Sequence, residues 1–546
     1  MPTTTGKIYL GSTLVAGGAG GAAADEWVRN AAWPALTAPG AAEQKIVGLY
    51  AVWPGDGVGK GGNFFAFLAQ GAYIINYGDG TTTNYASNAR ADYEFDFNSA
   101  ALAGTNAPVT FTAATSTVNR TAHGLSNGAI VRFYSIVTTT GIVAKQRYFV
   151  VNAAANTFQV SLTAGGSPVT FTGDGSATLL PYKVAVVTIT PQAGQNLTVA
   201  NFFQKHGQTG LVNGYATGWL DIAMALPQVS GTGLTIGGST TVVHANVERI
   251  NIVSVGALTS MASTLFQGCR SLQSLPSLPN ATAVTNMSSM FSGCPSLQTI
   301  PVFPGSVAAV TNMSSMFSGC SSLQAILAFP GSVAAVTNMA TMFQSCSSLQ
   351  TIPAFPGSVA AVTNMGGMFQ GCFSLQTIPV FPGSVAAVTN MSSMFQNCSS
   401  LQTIPAFPGS VAAVTNMSSM FQSCSSLQTI PVFPGSVAAV TNMSSMFQGC
   451  TSLESIPPLD MSGISSAANA ANFVANCSSL ARAQLTGMRF SFSVASCKLS
   501  AAALNELFTG LPVVTGQTIT VTGNYGINGA GYDPTIATAK GWTVTA

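Results

Sequence analysis

The residues best equipped for chemistry in this chain are its cysteines, and their spacing argues against it. All ten lie between Cys269 and Cys497. Cys294, Cys320, Cys346, Cys372, Cys398, Cys424 and Cys450 recur every 26 residues. Thiols one period apart could in principle meet, to oxidise or to share a metal. A thiolate metal centre, however, draws on clusters such as Cys-x-x-Cys, and the chain has none. A disulfide scaffold is short, cysteine-dense and irregular in its spacings. Free cysteine is among the most buried residue types, and a small apolar group suits a crowded position. The column is therefore expected to be structural, with no metal and no cofactor.

A second column has the same period: Phe303, Phe329, Phe355, Phe381, Phe407 and Phe433. If Ile300 and Val302 face a core, strand alternation points Thr299, Pro301 and Phe303 away from it. The six rings would then form a possible binding ladder beside threonines, since exposed aromatic rows mark interaction surfaces. The other reading folds each ring beneath the Pro-Gly turn that follows it.

Acid–base chemistry has little to work with. From Ser271 to Leu453 there is no Asp, Glu, Lys, Arg or His. This stretch cannot supply a general acid or base. His123, His206 and His244 are far apart and have no carboxylate or serine partners at a catalytic spacing. Asp92, Glu94 and Asp96 could hold Ca²⁺ through oxygen ligands, but a solvated strand face is the expected reading. Pro54–Gly62 is rich in glycine around Lys60 yet lacks the Gly-x-x-x-x-Gly-Lys-Ser/Thr spacing of a phosphate loop. No catalytic residue is assigned, and the chain is not expected to be an enzyme.

The elements that carry the two columns form a repeat. Thr-Asn-Met returns at 285, 311, 337, 363, 389, 415 and 441. A period of this length signals a solenoid, in which stacked units share one core. Met287, Met290, Phe291 and Cys294 fall at i, i+3, i+4 and i+7, which predicts a short one-faced helix capped by Thr285 or Asn286. Leu297-x-x-Ile300-x-Val302 has the spacing of a leucine-rich-repeat strand. Degraded copies around Cys269 and Cys477 suit the ends of a stack, which must shield an open core.

Outside the repeat the texture is β. Tyr73–Tyr77 alternates and runs into Asp79-Gly80, a hairpin signal. Short Thr- and Val-rich strands between 108 and 180 read as a small β unit inserted into a larger one. Leu499–Gly510 reads as a helix ended by glycine, with strands at Thr518–Thr522 and Trp542–Val544.

Composition limits the function classes. Charged residues are 6% of the chain and the formal net charge is +2, so no basic field exists to hold nucleic acid. No apolar run is long enough to span a membrane. The N-terminus lacks the layout of a signal peptide, so the protein is expected either to stay inside its producing cell or to leave it by another route, such as lysis.

Several blocks resemble known families. Val-Thr-Asn-Met-Ser-Ser-Met-Phe-x-x-Cys-Ser-Ser-Leu is similar to the BspA-type leucine-rich repeats of bacterial and phage surface proteins. Tyr77-Gly-Asp79-Gly80-Thr with Lys183–Thr190 resembles a PKD-like β-sandwich. Thr121–Gly128, Tyr148–Asn152 and Asn156–Ser161 resemble a β module of phage tail proteins. Lys7–Ser12, Leu499–Leu511 and Gly541–Val544 are similar to the ends of tail-fibre and baseplate proteins.

The expected fold is multidomain α+β. An attachment segment occupies 1–24, a PKD-like domain 25–107 plus 181–245, and the small inserted β domain 108–180. A leucine-rich-repeat solenoid of 26-residue repeats fills 246–485, followed by a capping module over 486–546. The resemblance implies a structural protein of a phage tail, assembled in the host cytoplasm and resident in the virion. Its partners would be other tail or baseplate proteins through the N-terminal region, further copies in a homo-oligomer, and a host glycan or protein. A bacterial adhesin and a purely architectural collar or tail decoration are the alternatives.

Overall fold

A computed structural model of the chain describes residues 9–10, 13–14, 34–52, 64–95, 107–121, 125, 127, 130–131, 133–139, 141–143, 148–163, 165–179, 183–202, 218–237, 247–261, 265–273, 275, 282–300, 307–326 and 332–546. Two compact units result: Met1–Gln228 with Asn246–Ser254, and Val229–Ala245 with Val255–Ala546.

The first unit is built from two facing sheets. One has six strands, in the order Arg249–Val255, Trp219–Leu226, Lys45–Val52, Lys183–Pro191, Tyr73–Asn76 and Thr82–Tyr85. The other pairs Phe64–Gln70 antiparallel with Val199–Asn201 on one side and Arg90–Glu94 on the other. Aromatic rings from both sheets meet between them. Phe65 lies 5.6 Å from Tyr50 and 5.5 Å from Trp219, while Phe67 lies 5.6 Å from Tyr73, all edge-to-face. Such pairs add about 0.5–1.5 kcal/mol each beyond the area they bury.

The hairpin at Asp79-Gly80 forms as its residues dictate. Asn76 Oδ1 accepts from Gly78 N–H and Asp79 Oδ1 from Thr81 N–H. Gly78 sits at φ +76°, where a side chain would press within 2.4 Å of the Val186 carbonyl oxygen. Only glycine meets both demands.

Between Arg90–Glu94 and Lys183–Pro191 the chain makes a separate seven-stranded antiparallel sheet. Its two edge strands, Ile130–Val131 and Phe133–Val137, are neighbours in sequence. The sheet therefore curls round on itself, the two edges being parts of one path. Phe111, Phe133, Tyr148, Phe158 and Val160 fill its interior.

The second unit is a β-solenoid of stacked 26-residue turns. Asn286, Asn312, Asn338, Asn364, Asn390, Asn416 and Asn442 pair in parallel, each with the next. Along this edge alternate residues bond to the neighbouring turn: Met287, Ser289, Phe291 and Gly293 donate to the carbonyls of Asn312, Ser314, Met316 and Ser318. The residues between them bond within their own turn, as in Ser292 N–H to Ser289 O and Cys294 N–H to Phe291 O.

This arrangement replaces the expected helix. Ser289 and Gly293 have φ of +56° and +74°, and the same two positions are left-handed in every following turn through Ser445 and Gly449. A right-handed helix cannot contain such residues. The i, i+3, i+4, i+7 spacing arises instead from successive tight turns that bring every third side chain inward. In the turn from 363 to 388 the buried apolar residues are Met365, Met368, Phe369, Cys372, Leu375, Ile378, Phe381, Val385 and Val388.

The expected strand forms at the last such place, as Ser455–Asp460, but is absent from the equivalents of Leu297–Val302 at 349–354, 375–380, 401–406 and 427–432. There the chain keeps the interval of three, Leu375-x-x-Ile378-x-x-Phe381, so Phe381 is buried and Val380 is 59% exposed. The fold is mostly β, with α-helices among the described residues at Ala501–Gly510 and Thr535–Thr538. Ser500 caps the first, its hydroxyl accepting from Ala503 N–H at 3.2 Å. Past the uniform turns, parallel pairing continues between Ser455–Asp460 and Arg482–Thr486, and from Phe492–Ser493 through Gln517–Thr520 to Trp542–Thr545.

Candidate functional site

Stacking identical turns converts each residue of the repeat into a column. Inside, Phe291, Phe317, Phe343, Phe369, Phe395, Phe421 and Phe447 form a continuous pile of near-parallel rings, 5.5–5.6 Å apart. Burying one such side chain contributes about 1.5–3 kcal/mol.

The cysteine column lies beside these rings and makes a specific contact. All ten cysteines are buried and unbridged. Cys320 Sγ donates to Phe291 O of the preceding turn at 3.2 Å, and Cys346, Cys372, Cys398, Cys424 and Cys450 repeat the bond at 3.0–3.1 Å. Cys294 makes the same contact with Phe266 O. The carbonyl already accepts the N–H of the cysteine in its own turn. The thiol fills its second lone pair and ties adjacent turns together. Burial pushes the Cys294, Cys372 and Cys424 thiols up to about 12. A thiolate is the form that reacts or binds metal, so these positions are inert at neutral pH. Among the described residues no group of three potential metal ligands comes together.

The second phenylalanine column is not an exposed ladder. Phe355, Phe381, Phe407 and Phe433 are 2–5% exposed and stack at 5.9–6.4 Å. Phe303 and Phe329 lie outside the described residues. Strict alternation fails at the four described rings because a proline precedes each by two residues and the path keeps its interval of three.

The outer surface consists of hydroxyl and amide columns. Thr337, Thr363, Thr389, Thr415 and Thr441 each donate through Oγ1 to the threonine carbonyl one turn back, at 3.1–3.2 Å. Gln344, Gln370, Gln396, Gln422 and Gln448 link head to tail through their side-chain amides. Asn312 Oδ1 accepts from Ser314 N–H, a local turn repeated in each unit. Gln376 and Thr377, like their equivalents in neighbouring turns, are exposed.

One surface residue escaped the sequence reading. Phe373 is 51% exposed. The residue after the column cysteine is serine at 321, 347, 399 and 425. The signal was available in that departure, an aromatic in a column that otherwise holds Pro295, four serines and Thr451.

Of the remaining candidates, Asp92 and Glu94 are among the described residues. Arg90 holds Asp92 in a two-pronged ion pair with contacts of 2.8–3.1 Å, which gives that carboxylate a partner on its own strand. Glu94 ends the same strand, and Asp96 lies outside the described residues. So do His123, His206, His244 and the Pro54–Gly62 segment.

Comparison with known proteins agrees with a repeat architecture. Residues 239–355, 332–430 and 384–488 match the family described as "Mycoplasma protein of unknown function, DUF285". The three windows overlap and take in the uniform turns, the last two starting two repeats apart. No curated protein matches the chain.

Proposed function

We propose that this protein is a structural component of a bacteriophage tail, a fibre, spike or baseplate appendage, whose solenoid presents a surface to a host receptor or to neighbouring subunits. The observation that carries this reading is the outer face of the stack. It is a regular, rigid array of threonine, glutamine and serine, uncharged from Ser271 to Leu453 and lacking any acid–base group. Such a face suits recognition through hydroxyls and amides, and leaves no means for hydrolysis within that stretch. Ten buried, unbridged thiols fit assembly in a reducing cytoplasm. The resemblances of the N-terminal half, a PKD-like sandwich interrupted by a tail-type β module, favour a virion. In this reading residues 1–24 serve attachment to other tail proteins, and the protein acts as a homo-oligomer.

The resemblance of the repeats to BspA-type surface proteins supports a second reading, a bacterial cell-surface adhesin, and the match to a bacterial family is compatible with it. Immunogold electron microscopy of a phage-producing culture separates the two. Gold on the tails of released particles is the expected result; gold confined to the cell envelope would establish the adhesin instead.

A further inference from the structure

We infer that the turn from 363 to 388 carries a binding platform for a neutral saccharide, centred on Phe373, on a turn that also bears Gln370 and next to the turn that bears Gln396 and Asn397. This rests on the proposal that the solenoid faces a host surface, and it names the ligand class and the place.

The uniformity of the repeat makes a departure informative. Neighbouring turns fold with Ser347, Ser399 and Ser425 at this position, so folding does not require a ring there. Phe373 is 51% exposed, so about half of the ring's surface stays in solvent. The same turn also carries Gly366 and Gly367 where the preceding turn has Ala340 and Thr341 and the following one Ser392 and Ser393. Val380 on this turn is 59% exposed too, but Val432 is equally exposed in a turn that carries Ser425. Exposure of the valine thus belongs to the repeat, and exposure of the ring to this turn alone.

The ring is held by rigid backbone. Phe373 O accepts from Ser400 N–H at 3.2 Å, and Ser374 N–H donates to Ser347 O at 3.3 Å. The Ser399 hydroxyl adds a further contact to Phe373 O at 3.4 Å. Cys372 is fully buried one residue earlier. A ligand stacking on this ring orders little that is not already ordered, which lowers the cost of binding.

The surroundings supply polar partners without charge. Gln370 Nε2 donates to Gln396 Oε1 within the amide ladder. Each ladder amide uses one N–H and one lone pair in the stack, and a side-chain amide has a second of each. Asn397, at φ +63°, occupies the position that Gly371 holds one turn earlier. An aromatic face beside amides and hydroxyls matches a sugar ring, whose C–H face is apolar and whose rim is hydroxylated. With no cation from Ser271 to Leu453, an anionic glycan has nothing to pair with. A protein partner would need roughly 1,000 Å² of complementary surface, more than one ring among serines provides.

The test uses the full chain and a panel of neutral hexasaccharides of gluco, manno and galacto configuration, followed by saturation-transfer NMR and calorimetry. At least one should bind, with affinity unchanged between about 50 and about 500 mM NaCl. Phe373→Ser, which installs the repeat's own residue, should keep the melting temperature and weaken binding roughly tenfold or more, about 1.4 kcal/mol. Phe373→Trp should retain binding, and Val432→Ser should not affect it. Binding of no neutral saccharide, or equal binding by Phe373→Ser, overturns the platform. Adsorption of the labelled protein to cells of the propagating bacterium separates this from the broader reading. Equal adsorption by wild type and Phe373→Ser removes the platform and keeps the host-facing role. Saccharide binding with no adsorption by wild type keeps the platform and removes that role.

Discussion

A single thiol shows how tightly this fold specifies a residue. Each column cysteine fills a buried niche and satisfies a carbonyl lone pair of the preceding turn, as Cys372 does with Phe343 O at 3.1 Å. Where the column reaches 524 an asparagine takes over the task more strongly. Asn524 Nδ2 donates to Val494 O and Val521 O, both at 2.8 Å, and its Oδ1 accepts from Leu499 N–H at 2.9 Å. The cysteines should therefore be silent toward iodoacetamide in the native protein at pH 8, because burial holds Cys372 and Cys424 up to about 12. After unfolding without reductant, mass spectrometry should find all ten alkylated; a native-state label on the column would contradict its packing. The Phe381 ring makes a complementary case. At 2% exposure and stacked between Phe355 and Phe407, its truncation to alanine should cost about 3–5 kcal/mol in denaturant unfolding. A cost below about 1 kcal/mol would mean the column is not core.

At the scale of one turn, most of the inward set was legible and its geometry was not. Met, Met, Phe, Cys, Leu and Ile were read as core from their periodicity, and they are core. The same spacing predicts a helix because an interval of three to four looks alike in a helix and in a chain of tight turns. What decides is backbone handedness at Ser289 and Gly293, and serine at φ +56° announces itself far less than glycine does. The phase of the Phe303 column failed for a related reason, since alternation was assumed where no strand forms. By contrast, the Asp79-Gly80 hairpin and the Ala501–Gly510 helix are local structures with local signals, and both were legible. That helix carries a testable ion pair: Arg482 donates to Glu506 at 2.8 and 2.6 Å, with Gln484 adding a third bond. The Arg482 and Gln484 bonds hold the Glu506 carboxyl down at about 2, below its ordinary 4.5. The folded value is the lower one, so the pair's contribution is present above about pH 4.5 and disappears as pH falls through about 2. Arg482→Ala should move the Glu506 carboxyl upward toward 4.5 in an NMR pH titration; an unmoved titration would dissolve the pair.

At the scale of the whole molecule, the solenoid behaves as a sum of turns and interfaces between turns. Every ladder in it, of threonine, glutamine, cysteine or phenylalanine, joins nearest neighbours 26 residues apart or a few more. The period is legible from Thr-Asn-Met alone, whereas the surface value of Phe373 is not, because a burial pattern says nothing about one outward residue. Nearest-neighbour coupling has a direct consequence. Deleting residues 389–414 removes one complete turn and joins Val388 to Thr415, so that Met365 meets Asn416 in the role Asn390 now fills. Each ladder closes again in register, and no charged group is lost, since the stretch has none. The shortened chain should fold with an unchanged circular dichroism spectrum per residue and a melting temperature only a few degrees lower, about what the loss of one interface among several allows. Deleting 389–401 instead removes half a turn and places Gln402 where Thr389 stood, so that Pro408, which has no N–H to donate, falls at the place of Phe395 in the phenylalanine pile and Ala406 at the left-handed position of Ser393. That variant should aggregate or lose its cooperative transition. If both deletions unfold the protein alike, stability is spread through the stack as one indivisible unit, and the description by turns and interfaces fails.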